Sequence, residues 1–161
     1  MSGGRLGITI AAACLGAALA AARAEEAKSD GAPVFTPQVS DFMSETQLSH
    51  FKLWFSGSLA NWPLARYEID QMKTSFQLAA EFGAKAYPNF SDLLKSDAEP
   101  AFAALDAAIA GKNEAAFITG FERLTKSCNA CHTATGLGFI VIQTPTTLPS
   151  VSPLSDQKFS P

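Results

Sequence analysis

Between Ser40 and Leu59 the apolar residues Leu48, Phe51, Phe55 and Leu59 fall at steps of three, four and four, the recurrence that lines up one face of a helix. A first helix is predicted there. Ser44 with Gln47 has the form of a capping box, and Ser40 is an equally legal cap. Asn61 as a cap and Pro63 in the first turn open a second helix, with Ala65, Ile69, Met72, Phe76 and Ala79 on one seam and Gly83 at its end. The connection around Pro88 contains a short helical turn over 90–95. A third helix is predicted from Asp97, with Pro100 tolerated in its first turn and Phe102, Leu105 and Ile109 on one face, stopping at Gly111. The fourth starts at Asn113 and carries Phe117, Phe121, Leu124, Cys128 and Cys131 at steps of four, three, four and three. Its apolar seam runs straight into the cysteines. Gly136 ends it, and a β-branched run, Ile140-Val141-Ile142, precedes a proline- and serine-rich tail from Thr144 to Pro161. No internal repeat is visible. The expected fold is all-α: an antiparallel four-helix bundle with an irregular C-terminal tail.

The first residues read differently. Arg5, an apolar run from Leu6 through Ala22, and Ala22-Arg23-Ala24 ahead of Glu25 have the order of a secretory signal peptide. The run is too short and alanine-rich for a confident membrane span, which needs roughly 20 apolar residues, although an uncleaved anchor is the alternative. The expected organisation is a signal peptide over 1–24, a flexible arm over 25–39, the four-helix domain over 40–136 and an extension over 137–161. At 161 residues, 47% of them hydrophobic, the chain can bury one real core and not two. Cleavage removes two of 12 basic residues and none of 15 acidic ones, making a chain of formal charge −3 more acidic still. That balance argues against a nucleic-acid partner. Cys14 leaves with the signal, and Ala11-Ala12-Ala13 lacks the larger aliphatic residue usual before a lipidated cysteine.

Two cysteines remain, and their spacing decides how to read them. Cys128-Asn129-Ala130-Cys131-His132 is the attachment pattern of c-type haem. On a helix, positions three and four apart share a face, so both sulfurs and the imidazole project together. Two thioether bonds then fix the porphyrin edge while His132 reaches the iron. A structural zinc site wants four ligands, yet the other histidine is His50 and no further mature cysteine exists. A thioredoxin-like pair sits at a helix N-terminus, where the dipole favours a thiolate; this pair lies in the last turns, where the dipole opposes it. A plain local disulfide is the remaining alternative.

A helical chain with CxxCH near its C-terminal end resembles the class II c-type cytochromes, cytochrome c-prime among them, rather than class I cytochromes, whose motif lies near the N-terminus. The resemblance covers roughly Ser40 to Gly136. It implies a four-helix bundle holding one covalent haem through Cys128 and Cys131, with His132 as proximal ligand and the distal side facing the first helix. It leaves a homodimer through the first two helices open. The segments His50-Phe51-Lys52-Leu53-Trp54-Phe55 and Asn61-Trp62-Pro63-Leu64-Ala65-Arg66-Tyr67-Glu68 also look like a group of periplasmic cytochrome-like proteins of unsettled function. One departure is the 29 residues after His132, where cytochrome c-prime has few. They either cover the haem edge or are disordered.

In an antiparallel bundle the end of helix four lies beside the start of helix one, so a distal metal ligand is sought among residues 43–51. His50 and Met43 qualify. His50 has three readings: a ligand, a pocket-lining residue without a bond, or a histidine with no haem role. Met43 otherwise serves as a staple at the helix start, and Met72 reads as core. Trp54, Trp62, Phe51, Phe55 and Tyr67 read as core first and haem packing second, while Arg66, Arg123 and Lys126 are candidates for the propionates. Bis-histidine ligation suits one-electron transfer, and methionine raises the potential relative to histidine. The expected function is that of a periplasmic electron carrier with redox partner proteins. An open sixth position gives the alternative, binding or sensing of small gases such as NO and CO. No acid–base pair beside the haem is legible, so no enzymatic activity is expected.

Overall fold

A computed structural model describes residues 35–147 and 157–161. The signal peptide expected over 1–24, with Cys14, lies outside the described residues. The chain divides into two units, Met1–Thr36 and Pro37–Pro161, and the second carries the fold. It is all-helical, with no strand among the described residues. No helix there is long and apolar enough to cross a membrane.

Helix α1 spans Val39–Ser58. Neither expected serine caps it. Gln38 does, its backbone N–H donating to the Asp41 carboxylate at 2.8 Å, while the Ser44 hydroxyl turns back onto the Ser40 carbonyl. Helix α2, Trp62–Gly83, starts as its sequence dictates, with the Asn61 side chain accepting from the Leu64 N–H and Pro63 in the first turn. A short α3, Phe90–Leu93, continues through a π-helical turn at Leu94–Ala98 into α4, Glu99–Ala110. The expected break before Asp97 is therefore absent. Pro100 has no N–H for the carbonyl four residues back, and its ring crowds that carbonyl. The wider turn absorbs this, with the Glu99 N–H reaching five residues back to Leu94. Helix α5, Glu114–Ala134, is capped by Asn113, which accepts from the Ala116 N–H at 3.0 Å.

α1 packs mainly on α2 and α4 on α5. Their shared core holds Leu53, Ile69 and Met72 with Phe76, Phe102 and Leu105, and on α5 Phe117, Phe121 and Leu124. Full burial of one such side chain contributes about 1.5–3 kcal/mol. The face that α1 buries follows its apolar stripe only in part: Phe55 is buried and Phe51 half-buried, but Leu48 and Leu59 are 37% and 42% exposed, whereas Ser49, Ser56 and Gly57 are buried. At Gly57 the cause is a close neighbour. The Phe117 ring fills the space where a side chain at position 57 would stand. Glu68 is buried on the facing helix, with the Lys52 ammonium 3.8 Å away. Asp106 ties α4 to α2 through Arg66 at 2.5 Å and Lys73 at 2.7 Å. After α5 two described stretches stay on the bundle: Ile142 packs against the core, and Phe159 is buried beside Phe55, their rings 5.9 Å apart.

Candidate functional site

A cavity of about 400 Å³ lies where the last turns of α5 face the first turns of α1, a size within the roughly 300–1,000 Å³ usual for cofactor and small-molecule sites. Cys128, Cys131 and His132 all line it. The spacing of the motif along α5 thus brings both sulfurs and the imidazole to one hollow, as the sequence predicts. The wall from α1 includes Met43, Thr46, Gln47 and His50. Phe76, Tyr87 and Phe90 add an aromatic side, and Leu137, Ile140 and Ile142 from the segment after α5 close the rim.

His132 is half-buried, and its Nδ1 lies 2.7 Å from the Ile140 carbonyl oxygen. A carbonyl only accepts, so Nδ1 carries the proton. In the neutral ring Nε2 then keeps its lone pair, the state a metal-binding imidazole requires. Cys128 is 8% exposed and Cys131 intermediate, and both are free thiols. Burial, then the neighbouring Cys131, pushes the Cys128 thiol up to about 12. Burial and then Asp97 raise Cys131 as well. Both are neutral thiols at neutral pH, the opposite of a thiolate-activated redox pair.

His50 is 3% exposed, and burial lowers its pKa from 6.5 to about 4. Its Nε2 lies 2.9 Å from the Thr125 hydroxyl oxygen, and that hydroxyl in turn donates to the Phe121 carbonyl at 3.0 Å. The single hydroxyl proton being spent, His50 Nε2–H must be the donor. His50 is therefore a neutral imidazole with its bare lone pair on Nδ1, and its ring lies 4.4 Å from that of Phe121. Beside it on α1, Thr46 has a buried hydroxyl without a hydrogen-bond partner, a group that costs free energy while unpaired.

Other expected residues are elsewhere. Arg66 is engaged by Asp106, and neither it nor the exposed Arg123 and Lys126 lines the cavity. Trp54 packs on Phe121, Trp62 on Phe117 and Phe51 on Phe55, while Tyr67 is 57% exposed. Met72 is fully buried core, as expected. The aromatic lining comes instead from Phe76, read as seam, and from Tyr87 and Phe90 in a connection whose periodicity was too short to assign a face. Thr125 and Asn129 also escape sequence reasoning. Asn129 binds Ile142 by both ends of its amide, accepting the Ile142 N–H at 2.7 Å and donating to the Ile142 carbonyl at 2.9 Å.

Among the described residues no three His, Cys, Asp or Glu side chains converge to hold a bare metal ion. Comparison of the chain with family models, curated proteins and solved structures yields no match.

Proposed function

We propose that the chain is an exported monohaem c-type cytochrome, with haem bound covalently through Cys128 and Cys131 and its iron held by His132. One observation carries this reading: two neutral thiols and an imidazole with a free Nε2 line a single cofactor-sized cavity, Nδ1–H of that imidazole being tied to a backbone carbonyl. The residues suit the group. Each thiol can add its sulfur and its hydrogen across one vinyl group, a step that consumes no oxidant. The carbonyl of Ile140 orients His132 and strengthens its donor nitrogen. Phe76, Tyr87 and Phe90 offer flat apolar surface, and the unpaired Thr46 hydroxyl offers a hydrogen bond. Once bound, haem supplies a one-electron iron couple whose potential follows its axial ligands.

The helices are inferred to run antiparallel. Connections of three residues between α1 and α2 and between α4 and α5 support this. So does the pairing of Phe42, early in α1, with Phe82, late in α2, ring centres 5.3 Å apart. The function is one-electron transfer between redox proteins of the periplasm. A second reading, binding of NO or CO at an open sixth position, is favoured by one specific observation: His50 Nε2–H donates to Thr125, which ties the ring in place and leaves only Nδ1 as a possible donor to iron.

Mass spectrometry of the protein matured in a host competent for c-type haem attachment tests the first claim. The expected result is one added haem that survives acid acetone extraction, and its loss in Cys128→Ala/Cys131→Ala. A processed chain with no added mass would overturn the proposal. Absorption spectra with carbon monoxide separate the two functions. Low-spin bands insensitive to the gas, made sensitive by His50→Ala, support the carrier, whereas immediate binding by the unmodified protein supports the gas-binding reading.

A further inference from the structure

The rim of the cavity beyond α5 is a strap of backbone, and one side chain grips its far end. Asn129 binds both the N–H and the carbonyl of Ile142, at 2.7 and 2.9 Å. Three residues later, on the same face of α5, His132 Nδ1–H meets the Ile140 carbonyl at 2.7 Å. Helix positions 129 and 132 thus pair with strap positions 142 and 140, so the strap runs back along α5. Three helical residues rise about 4.5 Å, and two extended residues about 6.6 Å, so two anchors at these spacings fix its register. The near end is held locally, by Leu137 N–H on the His132 carbonyl at 2.7 Å and Ile140 N–H on the Leu137 carbonyl at 2.8 Å. Beyond Ile140, the Asn129 side chain hydrogen-bonds the strap at both the N–H and the carbonyl of Ile142.

We propose that Asn129 is a positioning residue for His132: by clamping Ile142 it holds the Ile140 carbonyl on Nδ1, which sets the ring rotation and keeps the Nε2 lone pair available to the cavity. The proposal deepens the haem reading, since it explains what the first residue between the two cysteines does, yet the hydrogen bonds themselves belong to the haem-free chain. The clamp needs a donor and an acceptor side by side. Asparagine supplies both at one carbon from the helix; alanine supplies neither.

Nitrogen-15 NMR of the imidazoles in the full chain, produced without haem and kept reduced at about pH 8, where histidines are neutral, reads the tautomers directly. The unmodified chain is expected to show His132 mainly as Nδ1–H and His50 as Nε2–H. Asn129→Ala should shift His132 several-fold toward Nε2–H and leave the His50 signals in place, which also reports that the core is intact. Ile142→Pro, which deletes the N–H on the strap side, should move His132 the same way. If His132 keeps its Nδ1–H signature in both variants, the positioning role is overturned. In the haem-loaded protein Asn129→Ala should raise the midpoint potential, because a weaker Nδ1–H bond leaves His132 a poorer electron donor; an unchanged potential also counts against the role. A chain that takes no haem but shows the tautomer shift would sink the cytochrome reading alone.

Discussion

His50 has a pKa lowered by burial from 6.5 to about 4, and this makes it a pH-dependent term in the stability of the haem-free chain. Between those values the unfolded chain binds a proton that the folded chain refuses, so the contribution is complete above 6.5 and is lost as the pH falls toward 4. It is worth on the order of 3 kcal/mol. Glu68 acts in the other direction: burial raises its pKa, so its contribution is present below its ordinary value and is lost as the pH rises. Urea unfolding across this range should show a steeper acid loss for the unmodified chain than for His50→Leu, with Glu68 common to both and cancelling. The variant leaves the Thr125 hydroxyl satisfied by Phe121, so no unpaired donor confuses the comparison. Parallel profiles would mean that His50 is not the titrating group. The convergence of Cys128, Cys131 and His132 on one cavity was legible in the sequence because it follows from local spacing. The partners Thr125 and Ile142 were not, since a hydrogen bond between His50 and a residue 75 positions away leaves no periodic trace.

Among the elements, α2 and α5 follow their sequence signals from cap to seam, because wide apolar faces and asparagine caps agree. α1 departs from its own. Of its stripe, Leu48 and Leu59 point partly to solvent while Phe55 is buried, and the buried face also takes Ser49, which hydrogen-bonds Glu68, and Gly57, whose small size admits the Phe117 ring. Hydrophobic periodicity measures what a residue gains by burial and is blind to how near the neighbouring backbone comes. Gly57→Ala should therefore destabilise by at least about 1–3 kcal/mol, the usual cost of overpacking, because its methyl would enter the Phe117 ring. Combining it with Phe117→Leu tests the cause by a double-mutant cycle. A pair whose effects simply add would show that the ring is not the obstacle. The π turn before α4 was equally hidden: Pro100 marked a helix start plausibly, while the packing of Phe90 and Ala98 into the core keeps the chain helical across it.

For the molecule as a whole, the cavity exists because α1, α5 and the strap meet at one end, and that same closure limits access. Cys128 is buried beneath this end while Cys131 is partly open. Alkylation of the folded, reduced, haem-free chain should modify Cys131 first and Cys128 at a rate set by local opening, which urea accelerates. Equal rates for the two thiols in the absence of urea would contradict this. The consequence concerns the order of assembly. Under the haem reading proposed above, attachment at a thiol as shut as Cys128 requires the last helix to be undocked, so loading would precede folding, and a chain that folds first would become a substrate only as often as it reopens.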